Sequence, residues 1–99
     1  MTRDEHMYLK LMEECAEVQQ RVSKLLQFGP QESEATNPFA TPTSNPTTNL
    51  QRLQDEVYDL VAVIELLGLE LPGVTRISEK AARIEKYRRY SEELGLVTA

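Results

Sequence analysis

The chain has 99 residues, of which 40% are hydrophobic, contains no Trp and carries a formal net charge of −5. That length fits one domain with a small core, and the acidic balance argues against nucleic acid as a partner, because phosphate-backbone contacts need clustered Lys and Arg. Cys15 is the only cysteine, so no intrachain disulfide can form, in keeping with a reducing cytoplasm.

The first predicted helix opens on a capping box. Thr2 can cap the backbone at Glu5, and Glu5 can reach back. It stops at Phe28-Gly29-Pro30, where Gly allows a left-handed turn and Pro blocks continuation. Tyr8, Leu11, Met12, Cys15, Val18, Val22, Leu25 and Leu26 recur at helical spacing and form its apolar stripe; Cys15 is expected in the core there. The opening "MTRDEHMYLK" has no apolar signal core, and His6 near it reads as surface.

Residues 30 to 49 follow, with four Pro and five Thr and little to bury. They predict a long loop, mobile without ligand and able to act as a lid. Phe39, its one bulky apolar residue, is expected either to cover a base or to anchor the loop. The second helix is expected from the cap residue Asn49 to about Gly68, with a stripe of Leu50, Leu53, Val57, Leu60, Val61, Ile64 and Leu67. Its latter half, "LVAVIELLGL", is apolar on nearly every side. It contains Glu65 and is too short to span a bilayer, so no membrane partner is expected. Val61 to Leu67 instead predict an association surface and a homodimer or tetramer. After Leu71-Pro72-Gly73, a third helix is expected from about Thr75 to Leu94, closed by Gly95. No strand and no internal repeat is evident. The reading is a single domain over 1 to 99: an all-α antiparallel helical bundle completed by homo-oligomerisation.

Two acidic clusters stand on these helices. At about 100° per residue, Glu14 and Glu17 flank the first stripe at roughly 80° and 140°, and Glu56 and Asp59 flank the second at similar offsets of the same sign. In a parallel pair the two sets emerge on opposite sides; in an antiparallel pair they share one side. One such pair alone is usually solvated surface. Four carboxylates converging without counter-charge repel one another unless a cation is present. Oxygen donors without His or Cys suit Mg²⁺ or Mn²⁺.

Glu14-x-x-Glu17 followed by Glu56-x-x-Asp59, set in "EECAEVQQRVSKLLQFG", "LQRLQDEVYDLVAVIELLG" and "IEKYRRYSEELG", resembles the MazG-like all-α nucleoside triphosphate pyrophosphohydrolases. The resemblance covers almost the whole chain outside the loop. The sequence departs from the family in spacing: 38 residues separate Glu17 from Glu56, and the excess falls in the loop. The resemblance implies that Glu14, Glu17, Glu56 and Asp59 are the catalytic metal ligands and hold Mg²⁺. A nucleoside triphosphate would be split to monophosphate and pyrophosphate, with one of these acids or Glu13 activating water. It also marks Lys24, in "SKLLQFG", as a phosphate contact.

Six of the eleven basic residues lie between 76 and 89. Lys80 and Arg88 project near the stripe of Ile77, Ala81, Ile84 and Tyr87. Lys80, so placed, and Arg83 are further substrate-binding candidates, weighed against plain surface pairing with neighbouring Glu. Tyr87 and Tyr90 read as packing residues. Two rival functions remain open: cleavage of another pyrophosphate-containing substrate such as phosphoribosyl-ATP, and a non-catalytic helical interaction module.

Overall fold

Helix α1 spans Arg3–Phe28, with Thr2 as N-cap and the Thr2–Glu5 capping box in place. In the computed structural model, which describes residues 1–71 and 73–98, a 3₁₀ turn (Glu34–Thr36) and helices α2 (Asn49–Leu67) and α3 (Val74–Glu93) follow. No strand occurs among the described residues, so the chain is all-α. Position 72, within the expected break, and position 99 lie outside the described residues. The helices end where turn chemistry allows. Gly29 takes φ 91° and its N–H caps the Leu25 carbonyl; Gly68 closes α2 in the left-handed region at φ 73°, a conformation that only Gly adopts without strain.

The start of α2 differs from the sequence expectation by one residue. Thr48 is the N-cap and forms a capping box with Gln51, whereas Asn49 lies inside the helix and is 7% exposed. Its Nδ2 donates to the Gly29 carbonyl and to Glu32 Oε2, both at 2.9 Å. An amide here does more as a tie between two chain segments than as a cap.

The chain divides into two compact units, Met1–Leu69 and Glu70–Ala99. In the first, α1 and α2 run antiparallel. The α1 C-terminus meets the α2 N-terminus through Asn49 and Gly29, and farther along Glu17 faces Glu56. Their seam takes Met7, Leu11, Glu14, Val18, Arg21 and Leu25 from α1, each half-buried, at alternating steps of four and three. Leu53, Glu56, Val57, Leu60, Val63, Ile64 and Leu67 answer from α2. This is the spacing by which two helices keep one face in contact along their length.

The α1 stripe is wider than α2 covers. Met12 is 70% exposed and Leu26 78%, and Tyr8, Val22 and Cys15 are exposed with them. This outward face lies about 90° around the helix from the seam at the helical advance per residue. Cys15, expected in the core, belongs to it. Val63, in turn, is the one buried hydrophobic residue, at 8% exposure, among those described. It packs in the seam rather than on a free surface.

The loop is held without apolar burial. Leu50 N–H donates to the Pro30 carbonyl and Asn49 N–H to that of Glu32. Ser33 N–H donates to Thr36 Oγ1 at 2.9 Å, and Ala35 N–H to the Asn45 carbonyl. Ser33 is buried. Phe39 is 89% exposed, so it does not anchor the segment. In the second unit, α3 has no buried residue. Its side chains pair along the helix, Arg76 with Glu79 and Arg88 with Glu85 and Glu92, as exposed helical ion pairs do. Tyr87 and Tyr90, read as packing residues, are exposed.

Candidate metal centre and anion cleft

Antiparallel pairing sets Glu14 and Glu17 of α1 beside Asp59 and Glu56 of α2. One carboxylate oxygen each of Glu14, Glu56 and Asp59 falls within 4.8 Å of the others. Glu17 lies close enough to both Glu56 and Glu14 to act on their carboxylates. The four acids singled out in the sequence therefore meet on one side of the seam.

Their environments differ. Glu14 and Glu56 occupy seam positions and are half-buried, whereas Glu17 and Asp59 are exposed at the rim. Glu14 Oε2 and Glu56 Oε2 are shielded from solvent and have no hydrogen-bond partner. A shielded carboxylate oxygen without a donor is costly. The proton affinities record that cost. Desolvation, then the charges of Glu17 and Asp59, push the Glu14 pKa above its usual range. For Glu56, the adjacent Glu17 carboxylate comes first, followed by desolvation and the charges of Asp59 and Glu14. Lys10 offsets little of this, because its Nζ is engaged by Glu13 at 2.9 Å. That contact also occupies Glu13, the alternative water-activating acid.

The donor set is all carboxylate oxygen, with no imidazole or thiolate in the group. Two orphaned oxygens and mutual repulsion are what a hard divalent cation relieves, and such donors suit Mg²⁺ or Mn²⁺ over zinc. The residues fit a cation of that class.

A polar cleft of about 460 Å³ adjoins the quartet, bounded by Glu56 and Asp55 of α2, by Arg21 of α1 and Arg52 of α2, and by the loop residues Glu34, Asn45 and Thr47. A second hollow of about 260 Å³ continues from it past Lys24, Phe28 and Asn49. Lys24 Nζ sits 5.7 Å from the Phe28 ring centroid and lines this extension. Lys80 and Arg83 stand exposed on α3, in the second unit.

Sequence reading missed Arg21 and Arg52. The signal was present: Arg21 lies four residues after Glu17, and Arg52 four before Glu56. On antiparallel helices those offsets carry both guanidinium groups to the same end of the quartet. Comparison with family models, with curated proteins and with solved structures finds no match for the chain. The geometry of these residues therefore bears the functional argument.

Proposed function

We propose that the chain is a Mg²⁺-dependent nucleoside triphosphate pyrophosphohydrolase, with Mn²⁺ as a possible substitute, and that it works as a homo-oligomer. The observation that carries this reading is the meeting of two matched acid pairs across the seam, with shielded, unpartnered oxygens on Glu14 and Glu56. A shielded carboxylate oxygen without a protein donor calls for a partner, and a divalent cation can supply one. The resemblance of the two acidic motifs to the MazG-like enzymes points the same way.

Glu14, Glu17, Glu56 and Asp59 would hold the cation. When bound, it would neutralise phosphate charge and lower the pKa of a coordinated water. Glu14 and Glu56 fix the site from within the seam. Glu17 and Asp59, at the solvent rim, are the carboxylates that an attacking water can reach, so the proton it loses passes to one of these. Attack at the α-phosphorus forms one P–O bond and breaks the α–β anhydride, giving a nucleoside monophosphate and pyrophosphate. Lys24, in the hollow that continues from the cleft, would meet the outermost phosphate. Lys80 and Arg83 of α3 would reach phosphate only if assembly brings a partner's α3 to the site.

Assembly is supported by the apolar face of α1 left open by α2, from Tyr8 to Leu26. A second copy would cover it and complete a bundle. The catalytic reading is tested by incubating the protein and Mg²⁺ with a panel of nucleoside triphosphates and phosphoribosyl-ATP. Pyrophosphate release is expected. Release of orthophosphate alone, or no turnover of any substrate, would sink the assignment, and the second outcome would favour the non-catalytic module.

A further inference from the structure

Arg21 is half-buried and, among the described residues, takes part in no ion pair. Arg52 is also part-buried, with 25% of its side chain exposed, and meets the carboxylate of Glu34 at 3.5 Å. Both line the cleft together with Glu56 and Asp55. A part-buried guanidinium with no carboxylate, beside a second whose partner comes from the loop, is an arrangement suited to binding an anion. Glu34 is well placed to stand in for one. Its Oε2 accepts from Asn45 N–H at 3.3 Å while Oε1 faces Arg52, so the loop carries its own carboxylate into the cleft.

We propose that the Arg21–Arg52 cleft is the seat of the terminal phosphates of a polyphosphate ligand, and that Glu34 occupies Arg52 until that ligand displaces it. The ligand class rests on the hydrolase reading, in which the leaving pyrophosphate is the most highly charged part of the substrate. The order along the groove follows from the helices. The quartet spans the middle of the seam, and Arg21 and Arg52 lie toward the loop. The triphosphate therefore runs from the acids toward the loop, with its nucleoside end away from Glu34. Glu34, Asp55 and Glu56 outnumber the two arginines in this cleft, so anion binding requires a cation on the quartet as well. Displacing Glu34 frees the loop's contact with α2, which couples occupancy of the cleft to the loop.

The test is calorimetric binding of inorganic tripolyphosphate, in millimolar Mg²⁺, to the wild-type chain and to Arg21→Gln, Arg52→Gln and Glu34→Gln. Each arginine variant is expected to lose about tenfold or more in affinity, as removal of a charge-assisted contact does. Glu34→Gln keeps an oxygen for the Asn45 N–H but removes the competing charge. It is expected to bind about threefold or more tightly, on the scale of an exposed ion pair, a gain that misfolding cannot produce. Unchanged affinity in both arginine variants, or no binding by the wild type, overturns the proposal; weakened or unchanged binding by Glu34→Gln overturns the placeholder role. Nucleotide turnover separates this inference from the activity itself. Arginine-dependent tripolyphosphate binding without any hydrolysis would leave the cleft standing and remove the enzyme. Hydrolysis with unaltered KM in both arginine variants would do the reverse.

Discussion

At the scale of single residues, Glu14 and Glu56 decide the behaviour of the site. Their carboxyls are held above the usual glutamate range, by desolvation first at Glu14 and by the adjacent Glu17 carboxylate first at Glu56. A raised folded-state pKa means that the folded chain binds protons more tightly than the unfolded one. The resulting stabilisation is full below the ordinary glutamate pKa of about 4.3 and is lost as pH rises through the raised values. Without divalent metal, the thermal midpoint should therefore fall as pH climbs from the ordinary carboxylate range toward neutrality, and Glu14→Gln should flatten that slope. An identical pH slope in the variant would refute the account. Glu14→Gln and Asp59→Asn are each expected to abolish pyrophosphate release with helicity intact. Millimolar Mg²⁺ should raise the wild-type midpoint, because a ligand that binds only the folded state stabilises it, and should leave the Glu14→Gln midpoint nearly unmoved. Near-normal turnover in both variants would remove the metal site.

At the scale of elements, the helices were legible because their signals are local. Thr2 with Glu5, Phe28-Gly29-Pro30 and the three-four spacing of Leu11, Val18 and Leu25 each act within a few residues. The pairing of Glu14 and Glu17 with Glu56 and Asp59 was legible for the same reason, once antiparallel packing was assumed. Two features were not. The side of the wide α1 stripe that α2 would take depends on a partner, and helical spacing alone gives Cys15 and Leu11 equal claims to the core. The loop's internal order rests on hydrogen bonds between segments distant in sequence, from Asn49 to Gly29 and from Asn45 to Glu34 and Ala35, which composition does not register. Asn49→Ala deletes the side-chain bonds to Gly29 and Glu32 in a buried setting and should cost about 1–3 kcal/mol. In a domain this small each kcal/mol lowers the melting temperature by about 4–8 °C. Thr48→Ala, which removes the actual cap, should cost about 1 kcal/mol. A melt of Asn49→Ala indistinguishable from wild type would show that the loop junction is not held as described. Removing the exposed turn around Phe39 should alter substrate preference more than the melting point, because the ties at residues 29 to 36 and 45 to 50 remain.

At the scale of the whole molecule, the exposed apolar side chains call for cover. Leu26 on α1 and Leu66 on α2, the latter 57% exposed, lie outside the seam, so a charge at either leaves the α1–α2 packing intact. Leu26→Lys or Leu66→Lys is expected to yield monomer or aggregate by light scattering and to lose activity. Val63→Lys would instead place a charge inside the seam and unfold the first unit. A wild-type chain that is monomeric, folded and active at micromolar concentration would refute the assembly. No helix among the described residues is long and apolar enough to cross a membrane.

Positions 14 and 56 fall where two packed helices would ordinarily carry Leu or Ile. A lineage released from the need for this site would gain stability by abandoning it, since an apolar residue at either position fills the seam and removes one of four repelling charges. Folding alone would therefore favour the loss of both acids. Laboratory selection of random variants for heat resistance, with no demand for activity, is expected to return aliphatic residues at 14 and 56 early, while Leu11, Val18, Leu60 and Val63 stay as they are. A gene undergoing relaxed selection should follow the same course, losing its carboxylates before it loses its helices.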